Sequence, residues 1–238
     1  MDVRTKYALV DGTRHVAERS GLRGKCQYDG HPMVARCGQV RKPHWAHIGA
    51  YTCDPWWEGE TQWHQDWKAL FPGGWQEVLQ ENKVTGEKHI ADVKTDKGWV
   101  FEFQHSRIKP EERQSRDDFY PKLIWIVDGT RRKRDIPQFA GVWNEGRPVG
   151  GRPYIRRVRA GECALLQEWS ASSAPVLFDL GMKPTIWWLL PKSPDGKREH
   201  VAAFSSAEII RLHRTGTTEE VDDFALFLKE FSGLAGMS

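Results

Sequence analysis

Apolar and polar positions alternate most clearly in residues 89–95 and 99–105, two runs separated by Asp96-Lys97-Gly98. A period of two predicts strands, and a three-residue loop whose glycine can take the left-handed conformation predicts that they form a hairpin. With Thr95 opposite Trp99, the register sets Asp92 against Glu102 and Ile90 against Gln104. Both carboxylates and the amide then share one face, while Ala91, Val93, Phe101 and Phe103 form the apolar one. Residues 123–127, Leu-Ile-Trp-Ile-Val, are continuously apolar, as in a strand buried on both sides. A second hairpin is expected around Asp11-Gly12, between Lys-Tyr-Ala-Leu-Val and Arg-His-Val-Ala-Glu.

The period changes in residues 56–71, where helical spacing puts Trp63, Trp67 and Leu70 on one stripe and Glu60, His64 and Lys68 on another, before Pro72-Gly73-Gly74 ends the run. A strand is expected at 75–80. Pro110-Glu111-Glu112 opens a further helix, with proline in the first turn and acids at the positive end of the dipole. Arg113, Arg116 and Tyr120 fall on neighbouring positions of it, a face suited either to gripping phosphates or to internal pairing of Glu112 with Arg116 and Arg113 with Asp117. The order through residue 127 is therefore helix, three strands, helix, strand. Farther on, strands are expected at 175–180, 185–190 and 201–204, with turns at Gly181 and 193–196, and helices at 161–169, 206–214 and 219–231.

Composition narrows the class. With 238 residues, 39% apolar content and 12 tryptophans, the chain can build a sizeable core. It has no apolar run long enough for a bilayer, and its start lacks the pattern of a secretory signal, so a cytoplasmic location without membrane contact is expected. The net charge of +3 is small, but residues 131–134 and 152–159 are locally basic, either a path for a polyanion or a solvated linker. Of four cysteines, Cys26, Cys37 and Cys53 fall close to His44 and His47, which favours metal binding over a disulfide framework. These five are candidates for the four places around a tetrahedral Zn2+; the alternative is ordinary buried thiols and surface histidines. Cys163, in a helical segment, is expected to be a core thiol.

The remaining chemistry centres on the carboxylate hairpin. Mg2+ takes oxygen ligands, usually one or two carboxylates with waters and phosphate, so Asp92 and Glu102 suit Mg2+ or Mn2+. On the preceding helix, His64 is a candidate for metal binding or water activation and Lys68 for phosphate charge, against the plainer alternative of a solvated face with a Glu/Lys pair.

In this order the chain resembles the PD-(D/E)XK nuclease fold, and in detail it is similar to the competence protein CoiA family. The resemblance rests on Cys26, the His-Trp-Ala-His of 44–47, Cys53, the Glu60, His64 and Lys68 series, Ile-Ala-Asp-Val at 90–93, Glu-Phe-Gln-His-Ser at 102–106, Arg116, Tyr120 and residues 123–127. It covers roughly residues 1–135 and rests on shared order more than on any one motif. It implies an α/β nuclease core at 55–138, an N-terminal hairpin and zinc-binding module at 1–54, and a C-terminal α+β accessory region at 139–238. It also implies metal-dependent hydrolysis of DNA, with single-stranded or branched DNA as candidate substrates, in DNA uptake, recombination or anti-phage defence. Asp92 and Glu102 are the implied metal carboxylates, Gln104 stands where related nucleases carry lysine, and Glu60, His64 and Lys68 complete the catalytic set. A non-catalytic nucleic-acid-binding protein keeping the same fold is the alternative. Two departures stand out. Asp29 occupies the place of the family's second cysteine, so the zinc site either recruits Cys37 or is incomplete; and Gln104 is neutral, which leaves the cationic role to Lys68.

Overall fold

A computed structural model describes residues 4–40, 42–49, 53–56, 59–192, 199–214 and 222–234. The turn expected at 193–196 and the start of the helix expected at 219 lie outside these residues. The chain is mixed α/β and divides into two compact units, Met1–Lys94 and Thr95–Ser238. No described helix is long and apolar enough to cross a membrane.

The first unit opens with β1 (Arg4–Thr5), β2 (Tyr7–Val10), β3 (Thr13–Val16), β4 (Arg23–Lys25), β5 (Pro32–Arg36) and β6 (His44–His47). They form an antiparallel sheet of order β1-β6-β5-β4-β2-β3. The β2–β3 hairpin turns where the sequence places it, with Asp11 at φ 50° and Gly12 at φ 79°, the left-handed pair of a type I′ turn. A small core of Ala8, Met33, Ala35 and Trp45 lies on this sheet, and the Trp45 indole donates to the His15 carbonyl at 2.9 Å.

Helix α1 (Gln62–Lys68) is shorter than the periodicity suggests. Thr61 caps it: its hydroxyl accepts the His64 N–H while the His64 Nδ1 accepts the Thr61 N–H, a reciprocal capping box that fixes the start. Glu60 therefore precedes the helix instead of riding on it, and Leu70, beyond the last turn, is 43% exposed. A short 3-10 turn, Gly73–Trp75, leads into β7 (Gln76–Glu81), which pairs antiparallel with β8 (Lys88–Lys94). Along β8 burial alternates, with Ala91 and Val93 fully buried and Asp92 on the opposite face.

The second unit comprises β9 (Val100–Gln104), α2 (Pro110–Phe119), β10 (Leu123–Asp128), α3 (Asp135–Glu145), β11 (Arg147–Val149), β12 (Arg152–Arg157), α4 (Ala164–Trp169), β13 (Val176–Asp179), β14 (Thr185–Leu189), β15 (His200–Ser205), α5 (Ser206–Arg214) and α6 (Asp223–Leu234). Its strands run in the order β11-β12-β15-β14-β13-β10-β9. The three at one end, β13, β10 and β9, are parallel, and the others antiparallel. All six residues of β10 are buried, as a continuous apolar run between two parallel neighbours requires. Burial contributes roughly 1.5–3 kcal/mol for each large aliphatic side chain there. The loop before β9 closes with the Thr95 N–H on the Trp99 carbonyl at 2.8 Å, and Gly98 takes φ 79°. Helix α2 starts with Pro110 in its first turn, as its sequence signals.

The C-terminal segment foreseen as an accessory region is continuous with this sheet: β13 pairs with β10, and β14, β15 and β12 follow outward. The basic stretch 152–159 is largely β12, hydrogen-bonded on both sides, with Arg156 over the Trp143 ring and Arg157 on Glu199. In the other basic cluster, Arg131 and Arg132 both bond Glu168. Cys163 is fully buried at the start of α4, the core thiol expected.

Candidate functional site

Within the first unit, strand geometry sorts the five zinc candidates. His44 and His47 lie three apart in β6, and successive side chains of a strand alternate faces, so the two histidines point to opposite sides. His47 is buried on the side of Cys26 and Cys53, and the three ligand atoms lie within 4.8 Å of one another. His44 instead bonds the Lys42 carbonyl through Nδ1 at 2.9 Å. Cys37 is outside the group, packed against the small core with its N–H on the Ser20 hydroxyl.

The donor set fits a soft divalent metal. The Cys26 and Cys53 sulfurs are 3.6 Å apart, close to the spacing of about 3.8 Å that two thiolates adopt on tetrahedral zinc with 2.3 Å bonds. The Cys53 hydrogen bond, with N–H groups of Tyr28 and Asp29 and the His47 ring, lowers the Cys26 pKa to about 6 against the cost of burial. Cys53 is pushed up by Cys26 and by burial. A thiol held below its ordinary pKa, beside a second thiol and an imidazole, lowers the cost of binding a metal that needs deprotonated ligands.

The same unit builds a second polar centre. The Lys68 ammonium, 8% exposed at the end of α1, lies 2.5 Å from Glu60 Oε1, 3.1 Å from Glu77 Oε1 and 3.7 Å from Asp92 Oδ1. Burial alone would depress its pKa, but Glu77, Asp92 and Glu60 reverse the effect and hold it above the ordinary lysine value. Lys68 therefore stays charged and acts as a cation, not as a base. His64 is buried in the capping box at the opposite end of this short helix.

Glu77 is the residue that sequence reasoning missed. It has φ 50°, a left-handed conformation unusual outside glycine, in the middle of a strand start. Its second carboxylate oxygen accepts the Lys6 N–H at 2.8 Å, and its carbonyl accepts from Gln27 Nε2 at 2.8 Å and Arg14 Nη2 at 3.3 Å. The Tyr7 hydroxyl bonds the Gly73 carbonyl nearby. Donors from the N-terminal sheet thus hold β7 in the shape that aims Glu77 at Lys68. Only the glutamate-flanked motif Gln-Glu-Val-Leu-Gln-Glu is visible in sequence, and it reads as an ordinary strand.

In the second unit, Glu102 and Gln104 alternate with Phe101 and Phe103 along β9, and all four are buried. Glu102 bonds Arg116 Nη1 at 3.0 Å, and the same guanidinium reaches Glu112 at 2.5 Å. Gln104 donates to the Ser106 carbonyl at 3.2 Å. Arg113, Arg116 and Tyr120 are each at most 5% exposed, and the Arg113 guanidinium bonds the Glu168 carbonyl at 2.5 Å, so these residues line the interior of the unit and not an outward phosphate-gripping face. Of the internal pairs weighed above, Glu112 with Arg116 is present, while Asp117 bonds the Trp125 indole at 2.7 Å and Ser172.

Comparison with family models, with curated proteins and with solved structures finds no match.

Proposed function

We propose that the chain is a metal-dependent deoxyribonuclease of the PD-(D/E)XK type, similar to the CoiA family, hydrolysing DNA phosphodiester bonds. The observation that carries this reading is the buried Lys68 ammonium 3.7 Å from Asp92, within a partly exposed set of carboxylates from α1's approach, β7 and β8. Gln104 leaves this type of site short of one cation, and Lys68 lies beside the carboxylate where that charge is required. Asp92 and Glu102 are assigned as the ligands of Mg2+ or Mn2+, which supplies polarisation of the phosphoryl oxygen and a more acidic water. Lys68, permanently charged, stabilises the negative charge that grows on phosphate, and Glu60 and Glu77 hold its ammonium in place.

The test is a panel of end-labelled single-stranded, double-stranded and branched DNA, with RNA, incubated with Mg2+ or Mn2+ and with EDTA as control. Cleavage is expected with metal and not with EDTA, and Asp92→Ala, Glu102→Ala and Lys68→Ala should each abolish or strongly slow it while leaving folding measurable by circular dichroism. Undiminished cleavage by a folded Asp92→Ala/Glu102→Ala double variant overturns the assignment. Tight binding of DNA without any cleavage would favour a recognition protein instead.

A further inference from the structure

The residue that follows each thiol of the metal group reaches a different strand of the Lys68 centre. Gln27, next to Cys26, donates its amide to the Glu77 carbonyl of β7 at 2.8 Å. Asp54, next to Cys53 and 4% exposed, accepts the Ile90 N–H of β8 at 2.8 Å and bonds His89 Nδ1 at 3.0 Å. The Trp56 ring stacks on His89, and the Trp56 N–H closes a turn on Asp54. Glu77 and Asp92 lie between the paired positions Gln76 with Val93 and Val78 with Ala91, so the two strands gripped in this way are the ones that set both carboxylates against Lys68.

The energetics make these grips consequential. A left-handed non-glycine residue costs roughly 1–3 kcal/mol and persists only where its surroundings over-determine it. Glu77 is held by Lys6, Arg14 and Gln27. The segments carrying Gln27 and Asp54 meet at the two sulfurs through a thiol hydrogen bond, a weak one. Metal coordination would replace it with bonds to both sulfurs and to His47, fixing the two segments against each other.

We propose that Gln27 and Asp54 are positioning residues that tie the Cys26, His47 and Cys53 metal group to the Lys68 centre, so that metal at the thiols sets the spacing of Glu77 and Asp92. The inference rests on the nuclease reading for what the Lys68 centre does, but not for whether the tie exists. Its test accordingly reads structure and not cleavage.

Backbone hydrogen exchange on the full chain, loaded with zinc or stripped by chelator, follows peptides covering 76–81, 88–94 and, as reference, 123–128. One zinc equivalent should bind, with binding lost in Cys53→Ser and kept in Cys37→Ser. Stripping zinc should speed exchange roughly tenfold in 76–81 and 88–94, about the loss of one hydrogen bond's protection, and leave 123–128 unchanged. In the zinc-loaded state, Gln27→Ala should loosen 76–81 alone and Asp54→Ala 88–94 alone. Absence of stoichiometric zinc, unchanged exchange in both strands on stripping, or variants that loosen both strands or neither would each overturn the proposal. Should stripping also unfold 123–128, the zinc-loaded variants decide by the same one-strand criterion. A wild type that shows this exchange pattern but cleaves no nucleic acid would remove the nuclease reading and leave the tie standing.

Discussion

Lys68 in the first unit and Arg116 in the second are both buried cations held by carboxylates, and they differ in balance. Arg116 spans Glu102 and Glu112 with its planar fork and lies 5.8 Å over the Trp125 ring, so its geometry is fixed on three sides. Lys68 is a compact ammonium facing Glu60, Glu77 and Asp92, two of which are about a quarter exposed. One centre is a lock with a single negative charge in surplus. The other has two in surplus and access to solvent, which is the condition for taking in a further cation. Burial of an ion pair alone does not separate structure from function; the charge count around it does.

The largest expected effect is on the lock. Arg116→Met strands Glu102 and Glu112 and should cost about 3–5 kcal/mol in urea unfolding, with Arg116→Lys recovering only part. Lys68→Met should cost somewhat less, about 2–4 kcal/mol, because Glu60 and Asp92 reach water, and millimolar Mg2+ should restore part of the loss there. Failure of Lys68→Met to respond to Mg2+ erases the distinction.

His213 extends the comparison to a buried base with no acidic partner at bonding distance among the described contacts. It packs against Phe101 and Phe224, and burial, opposed in part by Asp222, lowers its pKa to about 3. The unfolded imidazole binds its proton near the ordinary value while the folded one stays neutral. Stability from this group is therefore complete above about pH 6.5 and falls as pH drops toward 3, by about 1.4 kcal/mol per unit. Between pH 7 and pH 5, His213→Phe should lose about 2 kcal/mol less than the wild type, measured by urea midpoints at both pH values. Identical slopes would place a proton on the native ring. The smallest effect belongs to Glu112→Gln, under about 1 kcal/mol, because Glu112 is a third exposed and the Glu102 pair remains.

What the sequence disclosed follows from how local each signal is. Asp11-Gly12, the proline and acids at residue 110, and the apolar run of β10 are read from neighbours along the chain, and each forms the element expected. The periodicity alone starts α1 too early, because a histidine acting as the third residue of a capping box is not a familiar signature. His-Trp-Ala-His showed no period of its own, so both histidines stayed candidates until β6 separated their faces. Helix α3, with Pro137 in its first turn, carries a mixed pattern that gives no clear helical period. The least legible feature is Glu77, whose conformation is imposed by Lys6, Arg14 and Gln27, some fifty to seventy positions upstream.

The parallel pairing of β10 with β13 has a consequence for biogenesis. Residues 125–128 pair with 176–179, so about fifty residues are synthesised before the Leu-Ile-Trp-Ile-Val strand gains its second neighbour. A parallel partner that far downstream closes slowly, and until it arrives one edge of the most apolar strand in the chain is open to any other strand. Chains released before Val176 should accumulate in inclusion bodies, whereas those reaching Leu189 also carry the antiparallel cover that β14 gives to β13. The vulnerable moment in this protein's life is thus a window of translation and not a property of its finished surface.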